Sequence, residues 1–208
     1  MLIAFEGIQG SGKSTIIKKI ADELTVTGKA CFVSEWNSDL IYKPFIQKVK
    51  SEKYFTPVTY CLLHACEFLA RYEREILPAL DRQEVVLCDR YYFTPLTRDW
   101  ARGISEEYIM NIYQNVISPD LVVYVNTSLD IACERKKKYV EAKNLYDTFY
   151  YNAGIDVTNL AFEKSLYKYK ALLQNRYGEI FSKMNNVLEI NESKNSQEAI
   201  QEILNYII

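Results

Sequence analysis

A single histidine, His64, among 208 residues leaves too few ligands for a zinc constellation. The five cysteines, Cys31, Cys61, Cys66, Cys88 and Cys133, are odd in number and never fall in a Cys-x-x-Cys spacing. They therefore indicate no disulfide framework and read as reduced core residues of a cytoplasmic protein. The formal net charge of −2 excludes a whole-molecule field that would gather nucleic acid or an anionic membrane. No apolar run has the length of a bilayer span, and the N-terminus enters a short apolar segment without a basic leader or cleavage site, so neither secretion nor membrane insertion is expected. No Pro/Gly/Ser-rich linker, repeat or low-complexity stretch divides the chain, and a single domain over residues 1–208 is expected. Glycine is also scarce. Of the seven glycines, three lie between residues 7 and 12.

That cluster, Gly7-Ile8-Gln9-Gly10-Ser11-Gly12-Lys13-Ser14-Thr15, has two glycines spaced by four residues and followed by Lys and Ser, the pattern of a phosphate-cradling loop. The glycines let the backbone curl so that successive N–H groups point inward, and the turn opens a helix whose positive end also faces the anion. Lys13 is placed to reach the terminal phosphates of a nucleoside triphosphate, and the Ser14 hydroxyl to hold a Mg2+ ion bridging two of them. The context agrees. Leu2 to Glu6 is a short apolar strand before the loop, and Ile16, Ile17, Ile20, Ala21 and Leu24 recur at helical spacing after it.

Further strands are expected at residues 30–34, 84–88, 121–125 and 186–191, separated by helical patterns, which gives a three-layer α/β domain with a parallel five-stranded sheet. Ligands of such sheets sit beyond the C-terminal ends of the strands. Glu35 follows the second strand there, and Asp89-Arg90 ends the third, where the carboxylate belongs beside the metal and Arg90 beside a second phosphate. A long helix is expected from Thr56-Pro57 to about Leu80. Its core stripe is Leu62, Cys66, Leu69, Ile76, Leu77 and Leu80, which leaves His64, Glu67, Phe68 and Arg71 on a neighbouring face, available to a substrate or simply solvated. Arg98 and Asp99 lie on a following short helix. The run Glu134 to Lys138 is read toward the end of another helix, as a solvated, dipole-favoured terminus or as part of a lid over residues 136–158 that closes on the triphosphate.

These landmarks together resemble the thymidylate kinases, within the P-loop nucleoside and nucleoside-monophosphate kinases. The resemblance is carried by Phe5 to Thr15, Ile76-Leu77-Pro78-Ala79-Leu80, Asp89-Arg90-Tyr91, and Pro119-Asp120-Leu121 through Glu134-Arg135. It implies a P-loop kinase fold with a small lid, ATP in the loop as phosphoryl donor, Mg2+, Arg90 on the acceptor phosphate, Arg135 on the lid side, and pairing into a homodimer through helices. The chain departs from the family where the acceptor sits. Thymidylate kinases usually carry Asp at the position of Gln9, an aromatic and an Arg at the positions of His64 and Phe68, and Tyr-Gln at Arg98-Asp99. Arg71 is then the nearest candidate for a lost contact. The resemblance extends to deoxynucleoside kinases, in which a Glu at the position of Glu35 is the base that deprotonates a sugar hydroxyl. A third reading is an ATP-binding switch that phosphorylates no small molecule.

Overall fold

The computed structural model describes residues 1–52, 55–145, 161–191 and 196–207. In chain order, β1 (Leu2–Glu6) leads to α1 (Lys13–Val26), β2 (Cys31–Glu35), α2 (Tyr42–Glu52) and α3 (Pro57–Arg71). A π-helical turn (Tyr72–Ile76) joins α3 to α4 (Leu77–Asp81), followed by β3 (Val85–Asp89) and α5 (Phe93–Arg98). After a 3-10 turn (Trp100–Arg102) come α6 (Glu106–Ile112), β4 (Leu121–Val125), α7 (Leu129–Lys143), α8 (Phe162–Phe181), β5 (Val187–Ile190) and α9 (Ser196–Ile207).

The sheet has five strands in the order β2-β3-β1-β4-β5, and every pairing is parallel. Alternation along the strands sends side chains to two cores. Leu2, Ala4, Val86, Cys88, Val122 and Tyr124 face the layer that includes α3, α5, α6 and α8, whereas Ile3, Phe5, Val85, Leu87, Leu121 and Val123 face α1 and α9. Every residue of β1 is buried, because it is the central strand and helices cover both its faces. The loop that follows it therefore opens at the middle of the C-terminal edge of the sheet, where the strand order reverses. Among the described residues no helix is long and apolar enough to cross a membrane.

Four details differ from the sequence expectation. First, β2, whose apolar sequence reads as a buried strand, is an edge strand, and only Ser34 of its five residues is buried. Second, the helix from Pro57 to Asp81 is interrupted by the π turn just ahead of Pro78, whose ring would crowd the carbonyl of Arg74 in an unbroken α-helix. Third, the inward face of α3 is Tyr60, Cys61, His64, Ala65, Glu67, Phe68 and Arg71, while Leu62 and Cys66 are exposed. Glu67 and Arg71 are sealed in by pairing with each other; of the expected stripe Leu69, Ile76, Leu77 and Leu80 do pack in or against the core, and Leu62 and Cys66 are the two misplaced members. Fourth, Glu134 to Lys138 lies in the middle of α7 rather than at its end. Burial pushes Cys31 up to about 11 and Cys88 up to about 12, which keeps both as protonated thiols, but Cys66 is a surface residue and not part of the core.

Candidate active site

The loop between β1 and α1 is built where only glycine fits. A Cβ on Gly7 would stand 2.5 Å from the Val125 carbonyl oxygen, and one on Gly10 would stand 2.9 Å from that of Ala132, and both backbones are at positive φ. The loop is thus pressed against the end of β4 and the first turns of α7. Lys13 Nζ donates to Gly7 O at 3.1 Å, Ile8 O at 3.2 Å and Ser11 Oγ at 3.2 Å. Burial, reinforced by the Arg90 cation, lowers its pKa well below the ordinary lysine value, and an arriving phosphate would offset both effects. Gly10, Ser11, Gly12, Lys13, Ser14 and Thr15 line an open cleft of about 750 Å³, together with Glu35, Asp89, Arg90, Arg98 and Arg135.

Across this cleft Ser14 Oγ donates to Asp89 Oδ2 at 2.5 Å. A hydroxyl and a carboxylate converging beside a phosphate loop are hard oxygen donors, which fits Mg2+ held by one or two protein groups and by the nucleotide itself. Among the described residues no group of three or more His, Cys, Asp or Glu side chains forms a protein-only metal cage. When bound, the ion would neutralise charge on the phosphates that Ser14 and Asp89 face.

Arg90 follows Asp89 with a φ of 80°, uncommon for a residue other than glycine. Its position is fixed from Glu6, a fully buried carboxylate at the end of β1. Glu6 accepts from Tyr91 N at 2.7 Å, Thr94 Oγ1 at 2.9 Å and Tyr177 OH at 2.9 Å, and Arg90 Nη1 reaches Thr94 Oγ1 at 3.3 Å and Tyr177 OH at 3.4 Å. Burial raises the Glu6 pKa, and Arg90 opposes that shift. Sequence reading missed Glu6 as a positioning residue, although a carboxylate closing an apolar strand directly before the loop was the available signal.

A second, more enclosed cavity of about 260 Å³ adjoins the first and shares Gln9, Trp36, Asn37, Lys50 and Arg98 with it. Its wall is strongly cationic. Lys50, Arg98, Arg102, Lys136 and Lys170 all line it, and the one carboxylate among its described lining residues, Asp99, is paired with Arg102. Burial lowers Lys50, Lys136 and Lys170 each to about 8, with neighbouring arginines and lysines adding repulsion. Arg98 is lowered by burial and then by Arg90 and Arg102. Aromatic rings complete the wall. Trp36 stacks on His64 with centroids 6.4 Å apart, and Tyr60 meets His64 edge-on at 4.4 Å.

The residues singled out from sequence fall into three groups. Gly10 to Thr15 of the loop, Asp89, Arg90, Arg135 and Glu35 come together in the open cleft, while Gly7 packs against Val125 and does not line it. His64, Arg98 and Asp99 line the enclosed cavity, and Arg98 lines both. Phe68 and Arg71 line neither. Phe68 is fully buried behind Trp36 at 5.3 Å and against Tyr91 at 5.2 Å, while Arg71 bonds Ser34 and Glu67 inside the protein. Both stand behind the cavity wall. The basic run of α7 divides by helical spacing: Arg135 Nη1 donates to Gly10 O at 2.9 Å, Lys136 enters the cavity, and Lys137 and Lys138 pair outside with Glu163 and Glu134. Most of the remaining lid segment, residues 146–158, lies outside the described residues. Lys50, Asn37 and Lys170 were not picked from sequence. Lys170 did carry a signal, because it interrupts the stripe Leu166, Leu173 and Tyr177, and a lysine in an apolar stripe needs a reason. It donates to the carbonyls of Gln9 and Ala132 and so ties the loop to α7.

Two cavities that meet beside a phosphate loop, one of them rich in cations, suit the need of a P-loop nucleotide kinase to bring two anionic substrates into line. The family assignment follows from comparison. The family model for thymidylate kinase matches residues 5–203, and the chain belongs to that family. A probable thymidylate kinase 2 from Saccharolobus solfataricus is 34% identical over 195 residues, covering 93% of this chain and 89% of the relative. A thymidylate kinase from Leptospira interrogans is 28% identical across 98% of this chain and 92% of its own length. A probable thymidylate kinase from Archaeoglobus fulgidus is 35% identical over 140 residues, 66% of this chain and 70% of the relative. The protein is thus a nucleoside-monophosphate kinase, with ATP as phosphoryl donor and Mg2+ as cofactor.

Proposed function

We propose that the chain phosphorylates thymidine monophosphate, with ATP phosphates in the open cleft and the acceptor in the enclosed cavity. The observation that carries this reading is the charge of the cavity: among the described residues five cationic side chains line it, and the one carboxylate is already paired with Arg102. A neutral nucleoside would bring no charge to the other four, Lys50, Arg98, Lys136 and Lys170, whereas a monophosphate brings the charge they lack. Lys13 and Arg135 stabilise charge on the transferring phosphoryl group, Arg90 and Arg98 hold the acceptor phosphate between the two spaces, and His64 and Asp99 contact the nucleoside. Ser14 and Asp89 hold the metal. Glu35 lines the open cleft but not the cavity, which supports a role near the phosphates rather than as base on a sugar hydroxyl.

Phe68 and Arg71, buried behind Trp36 and the turn after β2, support the acceptor site from outside it. The chain acts as one domain in the cytoplasm, and α7 with the segment after it serves as the lid. It pairs as a homodimer through the α2–α3 side, where Leu40, Ile41, Phe45 and Leu62 are exposed. The test is a coupled assay of ADP release with ATP, Mg2+ and a panel of nucleosides and nucleoside monophosphates, with light scattering for the dimer. Turnover of thymidine monophosphate and none of thymidine is expected. Turnover of a free nucleoside with every monophosphate inert would overturn the reading.

A further inference from the structure

Asn37 stands in the turn after β2 with a φ of 61°, a left-handed conformation that must be held in place. Glu67 of α3 holds it. Its Oε1 accepts from Asp39 N at 3.3 Å, the Asn37 backbone N–H donates to the same carboxylate, and Arg71 Nε fixes that carboxylate from one helical turn away at 3.2 Å. Held in this way, Asn37 places its Oδ1 2.7 Å from His64 Nδ1. An amide oxygen only accepts hydrogen bonds, so Nδ1 carries the ring proton. The ring is neutral, because burial, then the cations Lys50, Arg102 and Arg98, lower the His64 pKa well below its ordinary value.

Nε2 is then a lone-pair acceptor. The sealed, unpartnered side-chain atoms among the described residues are Glu67 Oε2, Arg71 Nη2 and Tyr113 OH, and Nε2 is not among them. It opens to the cavity that His64 lines. The rest of that wall is rich in donors, the five lysines and arginines above all, and Asp99 already accepts from Arg102. A wall with many donors and, at His64 Nε2, a neutral nitrogen that can only accept complements a base edge on which a single ring N–H lies between two carbonyl oxygens, the edge of a pyrimidine-2,4-dione.

We infer that the Asn37–His64 pair determines base specificity, with His64 Nε2 accepting the ring N–H of a pyrimidine-2,4-dione monophosphate in the enclosed cavity. This rests on the cavity being the acceptor site. Cytosine offers a bare ring nitrogen at the same place, lone pair against lone pair, and is rejected. Asn37 fixes the tautomer, and Glu67 with Arg71 act through Asn37 as positioning residues.

The only histidine in the chain gives a direct test, since its two ring nitrogens supply a single pair of resonances in long-range 1H–15N spectra. The free protein should show Nδ1 protonated and Nε2 bare. Thymidine monophosphate added without ATP should move Nε2 in the direction of hydrogen bonding, and its N3-methyl analogue should not. His64→Phe keeps a planar ring and removes the acceptor, so KM for thymidine monophosphate should rise about tenfold or more, with a smaller change in kcat. The preference for the parent over the N3-methyl analogue should shrink in that variant. An Nε2-protonated ring, or an Nε2 unmoved at saturating thymidine monophosphate that the enzyme phosphorylates, overturns the reader and leaves the acceptor site standing. If thymidine monophosphate is neither bound nor phosphorylated, the acceptor assignment falls and the reader with it.

Discussion

Ser14 Oγ and Asp89 Oδ2 lie 2.5 Å apart, which joins the first turn of α1 to the C-terminal end of β3 across the mouth of the phosphate loop. The contact places a hydroxyl and a carboxylate where a metal carried by the nucleotide would meet both. Asp89→Asn should keep the hydrogen bond and lose the charge. Turnover is expected to fall while the Mg2+ concentration for half-maximal rate rises, and excess Mg2+ should recover part of the loss. Wild-type rate and metal dependence in this variant would leave Asp89 with a structural role only.

Lys13 is held by the loop carbonyls in a buried position that lowers its pKa, so its charge costs stability until phosphate arrives. Lys13→Met should lower turnover at least about a hundredfold, roughly 2.7 kcal/mol of transition-state stabilisation. Without nucleotide, its melting temperature should match or exceed that of the wild type. A variant with near-normal phosphoryl transfer would remove Lys13 from the chemistry.

The parts of this site that were legible in sequence are those with a local signature. The loop from Gly7 to Thr15 announces itself because turn, helix N-terminus and lysine are consecutive, and Asp89 because an apolar strand ends in it. The enclosed cavity was not legible, since Lys50, Arg102, Lys136 and Lys170 come from four separate segments that only the tertiary fold brings together. On α3 the apolar pattern chose Leu62 and Cys66 for the core because Glu67 and Arg71 are charged. Their mutual pairing and the Ser34 hydroxyl let them be buried, a compensation that no single-residue scale contains.

Glu35 is paired in register with Asp89 at the sheet edge and lines the cleft of the phosphate loop. A phosphate acceptor is already anionic and requires no base, so Glu35→Gln should weaken substrate binding with a modest change in kcat. A nucleoside acceptor would respond differently: removing the base would drop kcat by about 10²- to 10⁴-fold with little change in apparent binding. Steady-state kinetics on both acceptor classes separate the two outcomes.

Lys136 provides the test that joins stability to function. Burial holds Lys50, Lys136 and Lys170 at about 8, below the ordinary 10.5 that they regain on unfolding. Between about pH 8 and 10.5 the unfolded chain therefore binds more protons than the folded one, and stability should rise with pH across that window. Below it both states are protonated, and the cost of burying the cations is present in full. An anionic acceptor favours the protonated lysines, so its binding should take up protons near pH 8 and KM should climb as pH rises beyond. Calorimetry in buffers of different ionisation enthalpy reads the proton uptake directly. Lys136→Met should raise the melting temperature of the free protein at neutral pH, weaken the monophosphate acceptor about tenfold and flatten the alkaline rise in KM. A variant with lower stability and unaltered KM would show that Lys136 supports the fold and does not meet the acceptor.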